Sequence, residues 1–212
     1  MLFSFHCPSC KGDLEADASL SGTQSNCPQC GKALAIPESR VDVGTTLAGF
    51  RLERRLGEGG MGEVFLARQL SVEREVAVKV LHPRFAADQE AAKRFLHESK
   101  LAAGLDHFNI VTVHEAGEDN GILYLAMAYV DGESLDKRLK RDGILPEAES
   151  LTIIRAIADA LAYAWDAFRI LHRDIKPANI MVDDRKRVFL MDLGLAKGLG
   201  EGSGMTLSGS IL

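Results

Sequence analysis

The chain has 212 residues, of which 46% are hydrophobic and 26% charged, and its formal net charge is −5. This composition is typical of a globular protein with a sizeable core, and the acidic balance argues against a nucleic-acid binder held by phosphate contacts. No apolar run is long enough to span a bilayer, and residues 1–7 lack the basic and apolar regions of a secretory signal. We therefore expect a cytoplasmic protein that binds neither nucleic acid nor membrane.

All four cysteines lie near the N-terminus, in two C-x₂-C pairs separated by sixteen residues: Cys7 and Cys10, then Cys27 and Cys30. Two such pairs can place four thiolates around one Zn²⁺, and a glycine close behind each pair, Gly12 or Gly31, lets the backbone turn tightly. Two disulfides or a redox-active pair are the alternatives. A disulfide frame needs an oxidising compartment, and a redox pair does not need a second copy. We therefore predict a structural zinc site.

This cysteine-rich segment resembles a zinc ribbon, which we place at residues 1–36. Hydrophobic burial alone cannot fold so small a segment, so metal binding would supply its folding energy. Its role could be docking of a protein partner or merely spacing. Residues 37–48 lack hydrophobic periodicity and are predicted to be a linker, which leaves residues 49–212 for a second domain.

The second domain begins with a predicted strand, since Phe50, Leu52 and Leu56 alternate with charged residues. A G-x-G-x-x-G-x-V string follows from Gly57 to Val64. Alone, this string could open a Rossmann unit or form a flexible turn. A Rossmann loop runs into a helix, whereas residues after Val64 continue as a strand. We therefore predict a glycine-rich hairpin whose backbone N–H groups approach phosphates.

Lys79 lies within an apolar strand predicted at residues 76–81, and the period of two places its side chain opposite the three valines. A lysine there is costly without an anionic partner, although a strand lysine that reaches solvent is a common alternative. A helix predicted at residues 88–104 carries Glu98 on its apolar face. We expect Lys79 and Glu98 to form an ion pair.

Two further strands, at residues 110–113 and 122–127, are expected to complete an antiparallel sheet of five strands. A short helix is predicted at residues 134–141 and a long one at residues 147–168. The apolar stripe predicted for the long helix comprises Leu151, Ile154, Ala158, Leu161, Trp165 and Phe168.

Two carboxylates, an amide and an ammonium group lie close in sequence, between His172 and Asp192. Short apolar strands at residues 180–182 and 188–190 form a predicted hairpin that brings Asn179 and Asp192 together. Carboxylate and amide oxygens suit Mg²⁺ in the presence of phosphate. A polar loop with solvated charges would explain any one of these residues, but not the whole string.

The string H-R-D-I-K-P-A-N at residues 172–179, followed by M-D-L-G at residues 191–194, resembles the catalytic loop and the metal-binding D-x-G motif of protein kinases. The resemblance implies an α+β, two-lobed fold with a five-stranded antiparallel N-lobe and an incomplete helical C-lobe, behind the zinc ribbon. It also implies a bacterial, eukaryotic-like enzyme that transfers the γ-phosphate of Mg-ATP to a protein hydroxyl. The lysine two residues after Asp174 resembles Ser/Thr rather than tyrosine kinases.

The resemblance assigns roles to individual residues. The implied catalytic residues are Asp174 as base, Lys176 on the transferring phosphoryl group, and Lys79 with Glu98 as the pair that positions the α- and β-phosphates. Asn179 and Asp192 would bind Mg²⁺. The implied ATP-binding residues are Gly57, Glu58, Gly59, Gly60, Met61, Gly62, Val64, Ala77, Lys79, Met127, Tyr129, Val130 and Met181.

Protein kinases continue beyond this point with an A-P-E element and several helices, so we expect the chain to be a kinase cut off within its activation segment. Alone, it is expected to phosphorylate protein substrates poorly or not at all. Thr206, Ser208 and Ser210 would be accessible phosphorylation sites in that segment. Two alternatives remain open. One is an ATP-binding pseudokinase that does not transfer phosphate, and the other is an interaction module with a decaying kinase remnant.

Overall fold

The computed structural model describes residues 2–17, 20, 22–36, 41–82, 85–86 and 88–193. Gly194 of the predicted D-x-G motif and the predicted phosphorylation sites lie outside the described residues. In the part of the chain that is described, no helix has the length and apolar character needed to cross a membrane.

Residues 2–36 form two β-hairpins, each a two-stranded antiparallel sheet: β1 (Leu2–His6) with β2 (Asp13–Asp17), and β3 (Gln24–Asn26) with β4 (Ala33–Ala35). The hairpins share a small core of buried side chains, namely Cys7, Leu14, Ala16, Cys27, Leu34 and Ile36. A core of this size buries too little apolar surface to offset the chain entropy lost on folding.

A six-stranded antiparallel sheet follows, with the strand order β5-β6-β7-β8-β10-β9. Its strands are β5 (Thr46–Leu47), β6 (Phe50–Gly59), β7 (Gly62–Gln69), β8 (Arg74–Leu81), β9 (Val113–Asp119) and β10 (Ile122–Ala128). This is one short strand more than expected, because β5 lies inside the predicted linker. Leu47 is fully buried, and Ala48 N donates a hydrogen bond to Asp119 Oδ2 over 2.7 Å. The linker is therefore shorter than predicted.

The strand predicted at residues 110–113 begins only at Val113. Val111 N donates to Leu190 O over 3.0 Å, and Leu190 N donates to Asn109 O over 2.8 Å. These backbone bonds hold residues 109–111 against the C-terminal part of the chain, whereas Thr112 O accepts a hydrogen bond from Ala128 N of β10 over 2.9 Å. Ile110 and Val111 are buried at that contact, which accounts for their apolar character.

The two faces of the sheet carry different cores, as the alternation in β8 predicted. Val76, Val78 and Val80 belong to one apolar cluster, and Ala77 belongs to another that includes Phe95. Phe95 lies on α1 (Gln89–Ala103), which begins after Asp88, whose side chain accepts hydrogen bonds from the first turn. This cap fixes where the predicted helix starts.

The C-terminal part contains β11 (Gly132–Ser134), α2 (Leu135–Asp142), α3 (Glu147–Phe168), a 3₁₀ turn (Pro177–Asn179), β12 (Ile180–Asp183) and β13 (Val188–Leu190). The last three strands form one sheet in the order β11-β12-β13, and α3 packs against β13. The predicted hairpin between Asn179 and Asp192 is confirmed, because β12 and β13 pair antiparallel.

The apolar stripe predicted for α3 is wrong. The buried stripe of the helix consists of Ile153, Ile157, Ala160 and Ala164. In the predicted stripe, Leu161 is partly buried, while Leu151, Ile154, Trp165 and Phe168 are exposed by 59%, 62%, 43% and 37%. The helix is apolar on two faces, so periodicity alone could not identify the face that packs.

Candidate functional site

The loop between α3 and β12 brings together three polar residues. Lys176 Nζ lies 2.7 Å from Asp174 Oδ2. Asn179 Nδ2 donates to the Asp174 backbone oxygen over 2.8 Å and to Asp174 Oδ2 over 3.1 Å. The Lys176 ammonium group, with the Asn179 amide, holds the pKa of Asp174 below its usual value. Asp174 is therefore ionised at neutral pH.

His172 holds this loop against the segment that carries Asp192. Its ring is only 3% exposed, with Nε2 2.8 Å from Met191 O and Nδ1 3.2 Å from Asp174 N. Nδ1 accepts from a backbone N–H, so the neutral tautomer with its proton on Nε2 satisfies both bonds. The sequence analysis gave His172 no role of its own; the signal was its position two residues before Asp174.

Lys79 pairs with Asp192 in this structure. Lys79 Nζ lies 2.8 Å from Asp192 Oδ2, and the two side chains are 12% and 25% exposed. The predicted ion pair between Lys79 and Glu98 is therefore wrong for this structure. Met191 N donates to Asn179 O over 2.9 Å, which fixes the end of the β12–β13 hairpin. This packing delivers Asp192 to the face of β8 on which Lys79 lies.

Glu98 is half-buried on α1, and its Oε2 atom is buried without a hydrogen-bond partner among the described residues. Desolvation raises the pKa of Glu98, and the nearby positive charges of Arg173, Arg94 and His97 only partly oppose this. A buried carboxylate oxygen that lacks a hydrogen bond is costly. Glu98 Oε2 is therefore positioned to accept a hydrogen bond that none of the described residues supplies.

The glycine-rich string forms the predicted hairpin between β6 and β7, with Gly60 and Met61 at its turn. A Cβ on Gly62 would lie 1.9 Å from Val80 O, so this position admits only glycine. Met61 O accepts a hydrogen bond from His82 N over 3.0 Å. These contacts hold the base of the hairpin against β8.

The apolar residues predicted to bind ATP are partly gathered in one cluster. It contains Ala77 and Met127, with Val64 and Val130 packed against it. Met127 also stands directly opposite Ala77 in the register of β8 and β10. Phe189 and Met191 from the C-terminal part pack against the same cluster.

Two of the predicted ATP-binding residues, Met181 and Tyr129, lie outside this cluster. Met181 is half-buried on β12 and stands opposite Phe189 in the register of β12 and β13. Tyr129 is half-buried just after β10, and its hydroxyl group lies 3.5 Å from Asp131. Met181 therefore lies on the same sheet face as Phe189, which does contact the cluster.

Comparison with known proteins assigns the family, because the protein kinase domain pattern matches residues 50–210. The chain belongs to the protein kinase domain family. It is 42% identical over 176 residues to the serine/threonine-protein kinase PknJ of Mycobacterium tuberculosis, and 44% identical over 170 residues to PknF of the same species. It is 39% identical over 158 residues to the serine/threonine-protein kinase PrkC of Bacillus subtilis.

Solved structures confirm the kinase fold. The crystal structure of the Mycobacterium tuberculosis PknI kinase domain matches with a TM-score of 0.68 and 40% sequence identity, over 74% of this chain and 64% of that chain. The matches to PknJ, PknF and PrkC cover 81%, 77% and 74% of this chain. The same matches span 29%, 35% and 24% of the length of those relatives.

A protein kinase domain uses ATP with Mg²⁺, and the polar residues of this site fit that pair chemically. Asn179 offers its amide oxygen as a ligand, because its amide nitrogen is already bonded to Asp174. Asp192 offers a carboxylate. This combination of few oxygen ligands, completed by phosphate oxygens, is typical of Mg²⁺ sites.

A second cluster of possible metal ligands lies outside the kinase domain, at the four cysteines. Their sulfur atoms all lie within 4.8 Å of one another, and none is in a disulfide. Cys7 Sγ is 3.9 Å from Cys30 Sγ, and Cys10 Sγ is 3.8 Å from Cys27 Sγ. Four sulfurs at Zn–S distances of about 2.3 Å form a tetrahedron with edges of about 3.8 Å. The spacing of the thiols therefore fits Zn²⁺.

The backbone of the two cysteine pairs turns in the same way, at Gly31 as predicted but at Lys11 instead of the predicted Gly12. Lys11 N donates to Cys7 O over 3.0 Å, and Gly31 N donates to Cys27 O over 2.8 Å. Lys11 and Gly31 both have positive φ, 61° and 72°. The left-handed residue directly follows the second cysteine of each pair, so Lys11 takes the position predicted for Gly12. A Cβ on Gly12 would lie 1.7 Å from Gln29 Oε1, so the Gln29 side chain would have to move to admit one.

Proposed function

We propose that the chain is a serine/threonine protein kinase that transfers the γ-phosphate of Mg-ATP to a protein hydroxyl group. The observation that carries this proposal is the hydrogen-bonded group of Asp174, Lys176 and Asn179. His172 links this group to the segment of Asp192, which pairs with Lys79. The named serine/threonine kinases among the relatives support the choice of substrate.

In the proposed reaction, Asp174 accepts a hydrogen bond from the substrate hydroxyl and orients its oxygen toward the γ-phosphorus. The new O–P bond forms as the bond to the β-phosphate oxygen breaks, ADP leaves with that electron pair, and the hydroxyl proton passes to Asp174. The lowered pKa of Asp174 makes it a weak base, so orientation is its main contribution before the proton moves. Lys176 neutralises charge on the transferring group.

The nucleotide would bind between the glycine-rich hairpin and the β12–β13 hairpin. Backbone N–H groups of Gly57, Glu58, Gly59, Gly60, Met61 and Gly62 would face the phosphates, with Lys79 on the α- and β-phosphates. The adenine would contact Val64, Ala77, Met127, Tyr129, Val130 and Met181. Bound Mg²⁺, held by Asn179 and Asp192, would neutralise phosphate charge. Glu98 would pair with Lys79 only in this nucleotide-bound form.

The test is to incubate the purified chain with Mg²⁺, γ-³²P-ATP and a mixed protein substrate, and to identify the labelled amino acids after acid hydrolysis. We expect phosphoserine or phosphothreonine. Phosphotyrosine alone would contradict the substrate assignment.

One observation favours a second candidate function, an ATP-binding pseudokinase. The Lys79–Asp192 pair occupies two residues that the reaction needs, and none of the described residues hydrogen-bonds to Glu98 Oε2. If this arrangement persists with nucleotide bound, phosphate transfer fails although ATP binds. ATP binding without any labelled substrate would favour this second function.

We also propose that residues 1–36 are a zinc ribbon and that the kinase domain, predicted at residues 49–212, extends N-terminally to include β5. The tetrahedral spacing of the four sulfurs and the matching turns of the two cysteine pairs support Zn²⁺ as the ligand. A bound cation would also lower the repulsion among four thiolates.

A further inference from the structure

The glycine-rich hairpin carries two glutamates that face each other. Glu58 stands opposite Glu63 in the register of β6 and β7, directly before the pair of Gly59 and Gly62 that leads into the turn. Side chains opposite each other on antiparallel strands have Cβ atoms about 4.5–5.5 Å apart, and like charges there destabilise the pairing. A cation that reaches both carboxylates would therefore stabilise the hairpin.

Arg55 supplies this cation and bridges the two carboxylates. Its Nη2 contacts Glu58 Oε2, and its Nε lies 3.2 Å from Glu63 Oε2. In a regular strand, residues three positions apart point to opposite faces, but the pairing of β6 with β7 is irregular between Arg55 and Gly57. The extra residue at this irregularity lets the Arg55 side chain share a face with the opposed glutamates.

The bridge matters more for the charge that it cancels than for the strength of its bonds. The side chains of Arg55, Glu58 and Glu63 are 42%, 60% and 19% exposed, and ion pairs of such exposure stabilise a fold only weakly. The three side chains together carry a formal charge of −1, which would become −2 without the arginine. Two uncompensated carboxylates would then remain beside the expected phosphates.

The glycines of the hairpin leave room for a ligand to approach the backbone closely. A Cβ added at Gly57, Gly59 or Gly60 would meet no surrounding atom of the described residues within 4 Å. None of these three glycines has a positive φ, so neither packing nor a left-handed backbone explains why glycine stands there. A phosphate chain lying against the backbone N–H groups accounts for all three.

We propose that Arg55 is a positioning residue for Mg-ATP. By cancelling the repulsion between Glu58 and Glu63, it keeps the two strands paired next to the turn and lowers the negative charge that the phosphates meet. Arg55 acts through the hairpin and not on the reacting atoms. The inference rests on the proposed nucleotide site, but it does not depend on phosphate transfer.

The first measurement is the Kd of the full chain for Mg-ATP, by isothermal titration. We expect Arg55→Gln to raise this Kd about fivefold, because two like charges then stand opposite each other beside the phosphates. Arg51→Gln is the matched control and should bind as the wild type does, since Arg51 is an exposed arginine of the same strand that stands opposite Arg68. Equal losses in the two variants would reflect net charge alone and overturn the proposal.

A double variant separates the cancelled charge from the lost side chain. Arg55→Gln combined with Glu63→Gln returns the formal charge of the three side chains to −1 and leaves Glu58 without an opposing carboxylate, although no bridge remains. We expect the Kd of this double variant to lie within about twofold of the wild-type value. A Kd as high as that of Arg55→Gln alone would show that Arg55 does not act by cancelling charge.

Salt gives a third readout, which a merely structural role would not change. In about 1 M NaCl the Debye length is about 3 Å, so repulsion between exposed carboxylates is screened. The ratio of the Kd of Arg55→Gln to that of the wild type should therefore fall from about five to below about two. A ratio that salt does not change would contradict the proposal.

The binding assay also separates this inference from the proposed function. A wild-type chain that binds Mg-ATP without transferring phosphate would refute the kinase reaction and leave the role of Arg55 to be decided by the same Kd values. A wild-type chain that binds no Mg-ATP would overturn the nucleotide site and the role of Arg55 with it. Normal wild-type binding with an unchanged Kd for Arg55→Gln would overturn the role of Arg55 alone.

Discussion

Lys79 Nζ lies 2.8 Å from Asp192 Oδ2, and this ion pair joins the middle of β8 to the residue two positions beyond β13. Both side chains are mostly buried, so each charge satisfies the other in the absence of nucleotide. The negatively charged phosphates of ATP would compete for Lys79, and their Mg²⁺ cation would compete for Asp192. Nucleotide binding is therefore expected to open this pair.

Lys79→Met should weaken ATP binding at least about tenfold, because it removes the cation closest to the expected phosphate position and leaves Asp192 without its partner. Isothermal titration with Mg-ATP measures this. Lys100→Met is the matched control, since Lys100 is an exposed lysine on α1. Equal ATP affinity of wild type and Lys79→Met would show that Lys79 is not a phosphate ligand.

Glu98→Gln should stabilise the nucleotide-free protein at neutral pH. The pKa of Glu98 is raised in the folded state, so its ionised carboxylate opposes folding. This destabilisation grows as the pH rises from the pKa of Glu98 in the unfolded chain to its pKa in the folded protein. The increase in the free energy of unfolding caused by Glu98→Gln should therefore be complete above the pKa of Glu98 in the folded protein. It should vanish below about pH 4.5, the pKa of Glu98 in the unfolded chain.

Thermal unfolding scans between pH 4 and pH 8 measure the difference in Tm between Glu98→Gln and the wild type, which we expect to reach roughly a few degrees. Glu90→Gln, at an exposed position of the same helix, serves as control. A destabilising effect of Glu98→Gln at pH 7 would indicate that Glu98 has a cationic partner in solution.

His172→Phe should lower kcat while leaving Mg-ATP binding nearly unchanged. The substitution removes the bonds to Met191 O and Asp174 N and leaves two partly buried backbone groups unsatisfied, at a cost of up to about 1–3 kcal/mol each. The loop of Asp174 would then lose its fixed position. His172→Asn keeps a hydrogen-bond donor and an acceptor, so it should retain more activity than His172→Phe. An equal loss of activity in the two variants would show that His172 acts through side-chain packing and not through its hydrogen bonds.

Cys27→Ser should abolish stoichiometric zinc binding, because a hydroxyl group replaces a thiolate at a buried ligand position. Elemental analysis of reduced, purified protein should find one zinc per wild-type chain. Ser9→Ala, at an exposed position between Cys7 and Cys10, should retain the metal. Wild-type protein without zinc, or with two disulfides by mass spectrometry, would refute the zinc site.

The sequence predicted those parts of the fold that local chemistry determines. Asp88 marks the start of α1, and the alternation around Lys79 gave the faces of β8 correctly. The β6–β7 hairpin followed from the glycine-rich string and the strand residues after Val64, and the structure shows that only glycine fits at Gly62, beside Val80 O. In each case, the deciding interaction lies within the element or with its nearest neighbour.

The errors came where distant parts of the chain compete. Glu98 and Asp192 could both neutralise Lys79, and only the packing of the hairpin after Asn179 selects Asp192. The helix α3 offers two apolar faces, and the choice of the Ile153 face depends on β13. Lys11 adopts a left-handed conformation because the turn around the cysteines imposes it, against its intrinsic preference.

The most direct test compares γ-phosphate transfer to a serine/threonine peptide by wild type, Asp174→Asn and Asp184→Asn. Asp174 contacts both Lys176 and Asn179, whereas Asp184 is an exposed aspartate on the β12–β13 turn. We predict that Asp174→Asn binds Mg-ATP nearly as wild type does but loses at least about a hundredfold in transfer rate, while Asp184→Asn keeps the wild-type rate. A rate for Asp174→Asn equal to that of the wild type would contradict the account.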